Sequence, residues 1–179
     1  FFDIRGGNAT QTMNLLAAKI TELLPTPPCT LQNPFGNPLE EVMMQVTSAG
    51  FDTTLSANGS YNLSEINSLS GVSYTLTPQK MDNPLNGLTT YDLVQISKHI
   101  LGIEPFLCDW QKVAADVNCS NSISTLDIVT ARKAILGILT TLPCGSYKFI
   151  PTSATASDGA CVDFVGVKLG DVNAGVCDG

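Results

Sequence analysis

The chain has 179 residues, with 9 Lys and Arg against 16 Asp and Glu, and a formal net charge of −7. That balance argues against nucleic acid as a partner, because a phosphate-binding face needs clustered Lys and Arg. No run of eighteen apolar residues is present to span a bilayer, and a hydrophobic content of 44% supplies an ample core for one large or two small domains.

Residues 1–7, FFDIRGG, form an apolar, strand-prone arm (Phe1, Phe2, Ile4) ahead of a Gly6-Gly7 hinge. The chain starts at Phe1 with no basic and apolar leader, so the expectation is a mature, processed product. Met13, Leu16, Ile20 and Leu23 recur at helical spacing and predict an amphipathic helix over 11–24. Pro25, Pro27, Pro28 and Pro34 follow, and proline cannot donate to a ladder, so this stretch reads as a linker or an extended edge. Residues 1–30 are thus an arm, a helix and a linker.

From Gly36 the pattern turns to strand. Val42, Met44 and Val46 alternate, residues 51–55 form a second strand, ANGSY (57–61) is a turn, and residues 61–66 and 72–77 give two more strands. The frame GNPLEEVMMQV, ANGSYNL, VSYTLTPQK resembles the carboxypeptidase-regulatory-like, immunoglobulin-type sandwich of secreted bacterial proteins. In that family an opening strand precedes the GxPL turn. Here PTPPCTLQNPF stands in its place, so the resemblance implies an antiparallel sandwich over 31–80 with its opening strand weak or missing. Such a sandwich exposes an apolar groove and unpaired backbone.

The most informative stretch is 116–138, DVNCSNSISTLDIVTARKAILGI. Oxygen-bearing side chains occupy positions 1, 3, 5, 9 and 12 of a loop: Asp116, Asn118, Ser120, Ser124 and Asp127, with the Ser122 carbonyl at position 7. A hard cation such as calcium collects six to eight oxygens at ~2.3–2.6 Å, and this twelve-residue spacing supplies them. Ile123 is the apolar pin, Ser124 and Thr125 cap a helix, and Gly137 ends it. Upstream, LTTYDLVQISKHILGI (88–103) aligns without a gap on ISTLDIVTARKAILGI (123–138), matching Thr90 to Thr125, Asp92 to Asp127 and ILGI to ILGI.

These paired loop-helix units resemble type I dockerin repeats over roughly residues 81–140, the calcium-dependent docking modules of secreted bacterial proteins. The first copy departs from the pattern. It has Met81 and Leu85 at positions 1 and 5, leaving Asp82, Asn83, Asn86, Thr89 and Asp92 as oxygen donors. In the last segment, 141–179, residues 147–150 and 161–173 are strand-like, and Asp171 with Asn173 repeats the Asp-x-Asn of Asp116 and Asn118. That pair is a candidate to complete the defective first site; the alternative reading is a polar C-terminal turn.

Six cysteines (Cys29, Cys108, Cys119, Cys144, Cys161, Cys177) show no CxxC pair and share the chain with one histidine, His99. Zinc is therefore disfavoured, and the even count beside calcium loops points to an oxidising, extracellular compartment with up to three disulfides. Four Asn-x-Ser/Thr sites occur; Asn118 is better explained as a ligand, which leaves Asn8, Asn58 and Asn62 as candidate glycosylation sites.

No catalytic equipment stands out, since an acid, base or nucleophile constellation would have to recruit the single histidine from a repeat helix. The first expectation is a secreted, non-catalytic α+β structural subunit. In it the arm is donated as a strand to the sandwich of another copy, a head-to-tail contact that generates a fibre, by the logic of donor-strand pili. The alternatives are a dockerin-type module binding a cohesin-like partner, and a carbohydrate-binding adhesin using Trp110 and the tyrosines.

Overall fold

In the computed structural model, residues 29–63, 71–157, 160 and 162–175 are described. The predicted helix over 11–24, the arm residues Phe1, Phe2 and Ile4, and Asn8, Cys161 and Cys177 lie outside them. The chain is mixed α+β, with two four-stranded, mostly antiparallel sheets and three helices.

The first sheet is ordered β3-β2-β5-β7. β2 (Val42–Ser48) pairs with β3 (Phe51–Ala57) along all seven residues and with β5 (Ser73–Gln79) on its other side, and β7 (Ala154–Ser157) adds to β5. Alternation decides which face is buried. Val42, Met44 and Val46 point inward from β2, and Tyr74 and Leu76 from β5.

The second sheet is ordered β4-β1-β8-β6, from β1 (Cys29–Gln32), β4 (Ser60–Tyr61), β6 (Tyr147–Ile150) and β8 (Phe164–Lys168). It contributes Leu31, Tyr61, Phe149 and Phe164 to the same core. The proline-rich stretch reads from the sequence as a linker or an extended edge, with the opening strand weak or missing. Instead Cys29–Gln32 is an internal strand, antiparallel to β4 and parallel to β8. Pro28 and Pro34 flank it, so no missing N–H falls inside its four residues. The strand expected over 61–66 ends at Tyr61, with residues 64–70 outside the described chain. The strands expected within 141–179 become β6 and β8, both in this second sheet, whereas the unanticipated β7 joins the first.

The helices are α1 (Thr90–Ile100), α2 (Asp109–Ala115) and α3 (Thr125–Ile135). α1 and α3 are the two repeat helices, and they bury Leu93, Ala131 and Ala134 together with Leu88, Val117 and Leu142. β8 links this half to the sheets: Phe164 enters the sheet core, whereas Val167 and, beyond the strand, Val172 pack with Ile96, Phe106, Ala114 and Ala115. α2 was not foreseen from the sequence. Its seven residues bury only Ala114 and Ala115, too few for a helical period to register.

A disulfide joins Cys119 to Cys144, and Cys29 and Cys108 are disulfide-bonded as well.

Candidate metal centre

The second repeat loop is shaped by its own side chains. Asp116 Oδ1 accepts from the Ser120 N–H at 2.9 Å and Oδ2 from the Asn121 N–H at 3.0 Å. Asn118 Oδ1 also accepts from the Ser120 N–H, and the Ser120 hydroxyl donates to the Ser122 carbonyl at 3.1 Å. The sharp turn falls at Cys119 and Asn121, both with positive φ (57° and 61°). Asparagine tolerates that left-handed conformation better than most residues. The loop closes on Asp127, whose Oδ1 accepts from the Asn118 N–H at 3.1 Å and whose Oδ2 accepts from the Ser124 N–H at 2.8 Å and from the Ser124 hydroxyl. Asp127 thereby fills a capping-box position at the start of α3 while reaching across the loop.

The first repeat builds the same junction from two distant segments. Asp92 Oδ2 accepts from the Thr89 N–H and hydroxyl at 2.8 and 2.7 Å, matching Ser124 with Asp127. Its Oδ1 accepts from the Val172 N–H at 3.0 Å and from Asn173 Nδ2 at 2.7 Å. The tail Gly170-Asp171-Val172-Asn173 thus stands against Asp92 much as Ala115-Asp116-Val117-Asn118 stands against Asp127. Val117 and Val172 are both fully buried, and the tail is held in place by Gly170 N–H to the Ala114 carbonyl at 2.8 Å and Gln111 Nε2 to the Val172 carbonyl at 3.1 Å.

Of the residues predicted for the first site, the structure brings together Thr89, Asp92, Asp171 and Asn173. Asp82, Asn83 and Asn86 are engaged locally instead. Asp82 Oδ1 accepts from the Asn83 N–H and Asn86 Nδ2, and Asn83 Oδ1 from the Leu85 N–H, because short polar side chains in a turn find neighbouring N–H groups first. Lys168, absent from the predicted set, donates from Nζ to the Asn83 carbonyl at 3.0 Å. Burial pushes its amine down, and the charges of Asp82 and Asp171 oppose that shift.

Negative charge is buried at both places. Asp92 and Asp127 are 0% exposed and Asp116 is 4% exposed. Neither Asp92 nor Asp127 has an ion-pair partner among the described residues, and Asp116 has only Lys148 Nζ at 3.7 Å. Buried carboxylates compensated by hydrogen bonds alone are costly. Asp171 adds a second negative group beside Asp92. Burial first, and then the Asp92 charge, push its carboxyl above the usual range, against the opposing effects of the Asn173 N–H and Lys168. Its Oδ1 is buried without a hydrogen-bond partner. Its Oδ2 rests on Gly87, where a Cβ would lie 2.2 Å away, so only glycine admits the carboxylate to the loop.

An oxygen-rich set with an orphaned buried carboxylate oxygen and a glycine cradle fits a hard cation such as calcium. Among the described residues no three His, Cys, Asp or Glu side chains converge. Each loop combines one or two carboxylates with amide, hydroxyl and carbonyl oxygens.

The remaining candidates are placed as follows. His99 stacks on Phe106 with ring centroids 4.4 Å apart, and its Nδ1 accepts from the Phe106 N–H at 2.9 Å, so the lone imidazole fixes a turn after α1. Trp110 meets Phe35 edge to face at 5.1 Å, beside a cavity of about 260 Å³ that also touches Asp171 and Tyr147. Asn58 and Asn62 are exposed, and Asn58 Oδ1 accepts from the Glu41 N–H.

One feature escaped the sequence reading. Tyr91, Val94, Leu101 and Ile103 stand exposed on the first repeat, and Leu126, Val129, Leu136 and Ile138 occupy the equivalent positions of the second, at 46–71% exposure. The duplication was visible in the alignment, but only the packing shows that these apolar residues face outward.

No helix among the described residues is long and apolar enough to cross a membrane. No protein-family model, curated protein or solved structure matches the chain.

Proposed function

We propose that this chain is a secreted, non-catalytic structural subunit that self-assembles into a fibre. Its two sheets are read as an immunoglobulin-type sandwich, its repeats as dockerin-like, and its arm, residues 1–5, as a strand donated to the sandwich of another copy. Calcium held by Asp116, Asn118, Ser120, Ser122, Ser124 and Asp127, and by Thr89, Asp92, Asp171 and Asn173, would clamp the repeat half, and the disulfides would resist unfolding outside the cell.

The observation that carries this reading is the inequality of the two sheets. Three strands of the first have seven residues each, whereas those of the second have two, four, five and four. The stunted sheet has less backbone pairing of its own and gains most from an added strand. A strand passed from copy to copy makes a heterologous contact, which propagates unless it closes into a ring.

Negative-stain electron microscopy in millimolar calcium tests the proposal, with a variant lacking residues 1–7 alongside. Fibres that vanish on truncation are expected; dispersed particles in both samples, or fibres in both, would sink strand donation.

A second reading has its own support. The two equivalent apolar stripes on α1 and α3 suit a calcium-dependent docking module that offers one partner, such as a cohesin-like protein, two equivalent faces. Val94→Lys with Val129→Lys should abolish such docking while leaving fibres intact.

A further inference from the structure

We propose that the open edge of β6, with the groove beside it, is the acceptor for residues 1–5 of a second copy, a proposal that rests on the strand-donation reading above. β6 is the outermost strand of the β4-β1-β8-β6 sheet. The Leu169 N–H donates to the Ser146 carbonyl at 3.0 Å, which sets the parity of the ladder. In an antiparallel pair every second residue is bonded to its partner, so Lys148 and Ile150 bond to β8, while Tyr147 and Phe149 turn their N–H and C=O away from it. Among the described residues no backbone group pairs with that outward side.

Alongside this edge runs a groove of about 660 Å³. Met81 and the Cys119–Cys144 disulfide line it, the nearly buried Phe149 and Leu142 lie at its floor, and Lys80 and Lys148 border it. The site therefore offers backbone pairing, an apolar surface and positive charge at one place.

The sequence FFDIR answers all three. Extended, it sets Phe2 and Ile4 on one face, two residues apart, and Asp3 on the other. With Phe2 and Ile4 turned to the Phe149 face, Asp3 falls on the opposite face of the strand, the side of Lys148. Residues 6–28 separate the arm from β1 and span at most about 80 Å when extended, enough to reach a neighbouring copy.

The test replaces Phe2 by the photo-crosslinking residue p-benzoylphenylalanine in unlabelled protein, assembled in calcium with an equal amount of ¹⁵N-labelled protein. The expected result is crosslinks from the unlabelled arm to labelled peptides carrying Met81, Leu142 or Phe149. A companion variant, Tyr147→Pro, removes an outward N–H without touching the β8 ladder, and should cut high-mass species at least tenfold while the melting temperature stays within a few degrees. Crosslinks to β3, or only within single chains, would overturn this acceptor. If deleting residues 1–7 abolishes assembly while the crosslinks fall elsewhere, strand donation stands and the β6 site is wrong; if the deletion leaves assembly intact, both fail.

Discussion

Val172 and Asp92, 80 positions apart, are joined by a hydrogen bond of 3.0 Å from the Val172 N–H to Asp92 Oδ1. The same carboxylate caps α1 through Thr89, so one fully buried side chain fastens both the helix start and the C-terminal tail. Asp92→Ala would strand four donors at once. Each unsatisfied buried group costs about 1–3 kcal/mol, and water can reach some of them, so a net loss of about 3 kcal/mol is expected. Urea titration measures it, and a loss below about 1 kcal/mol would show that the tail is fastened by other contacts.

Asp171 is predicted to behave oppositely with and without metal. Its carboxyl is raised by burial and then by the neighbouring Asp92 charge. A group with a raised folded pKa holds its proton longer in the fold than in the unfolded chain. Its stabilising contribution is therefore complete below the ordinary carboxylate range and is lost as pH rises through the folded value. At pH 7 with chelator, Asp171→Asn should melt a few degrees above the unaltered protein, and the difference should shrink near pH 4. With millimolar calcium the order should reverse, because the variant has lost a ligand charge. A variant that melts lower with chelator and gains as much from calcium would make Asp171 purely structural.

Much of this arrangement was legible in the sequence because it rests on local rules. The alternation of Val42, Met44 and Val46, and the caps Thr89 and Ser124 three residues before Asp92 and Asp127, follow from periods of two and from helix-start chemistry. β1 was not legible, since its parallel pairing with β8 is made by residues far along the chain and its own composition is dominated by flanking prolines. β7, Ala-Thr-Ala-Ser, carries no large apolar residue and is a strand only because β5 offers an edge. At the first site the repeated Asp-x-Asn pointed to Asp171 and Asn173, but Lys168 gave no sequence signal, because its approach to Asn83 depends on how β8 runs past the loop.

The Cys119–Cys144 bridge ties the second loop to the segment leading into β6. It closes a separation of 25 residues, for which the chain-entropy model gives about 3.5 kcal/mol. Cys119→Ser with Cys144→Ser should lower stability by that order and weaken calcium binding, because Cys119 occupies position 4 of the loop. Isothermal titration calorimetry checks the second effect; unchanged affinity would mean that the loop is shaped wholly by its own hydrogen bonds.

Tyr61 predicts the alkaline limit of the sheet core. Its hydroxyl donates to the Val162 carbonyl. Burial, aided by the Asp163 and Tyr74 charges, pushes the phenol from 10.0 to about 12. Because the folded value is raised, the stability this group supplies is intact below pH 10 and is lost as pH climbs toward about 12. Tyr61→Phe should cost about 1 kcal/mol at pH 7 through the lost hydrogen bond, yet melt with a flatter dependence above pH 10. Parallel melting curves up to pH 12 for the two proteins would place the alkaline sensitivity elsewhere.

The strongest demand on the calcium reading falls on the second loop, where Asp116 and Asp127 are buried with a single lysine 3.7 Å from one of them. Without a divalent cation only Lys148 offsets the two carboxylates; a bound one would give both carboxylates and the Asn118, Ser120 and Ser122 oxygens a common partner. A ligand present at a hundred times its Kd stabilises a fold by about 2.7 kcal/mol, so chelator should lower the melting temperature of the unaltered protein by several degrees. Asp116→Ala with Asp127→Ala should melt lower from the outset and lose the part of the chelator response that belongs to this loop. Any remaining response would report the first site, and adding Asp171→Ala should remove it. If the unaltered protein melts at the same temperature with and without chelator, the loops are hydrogen-bonded turns and the buried carboxylates are held by their N–H donors alone.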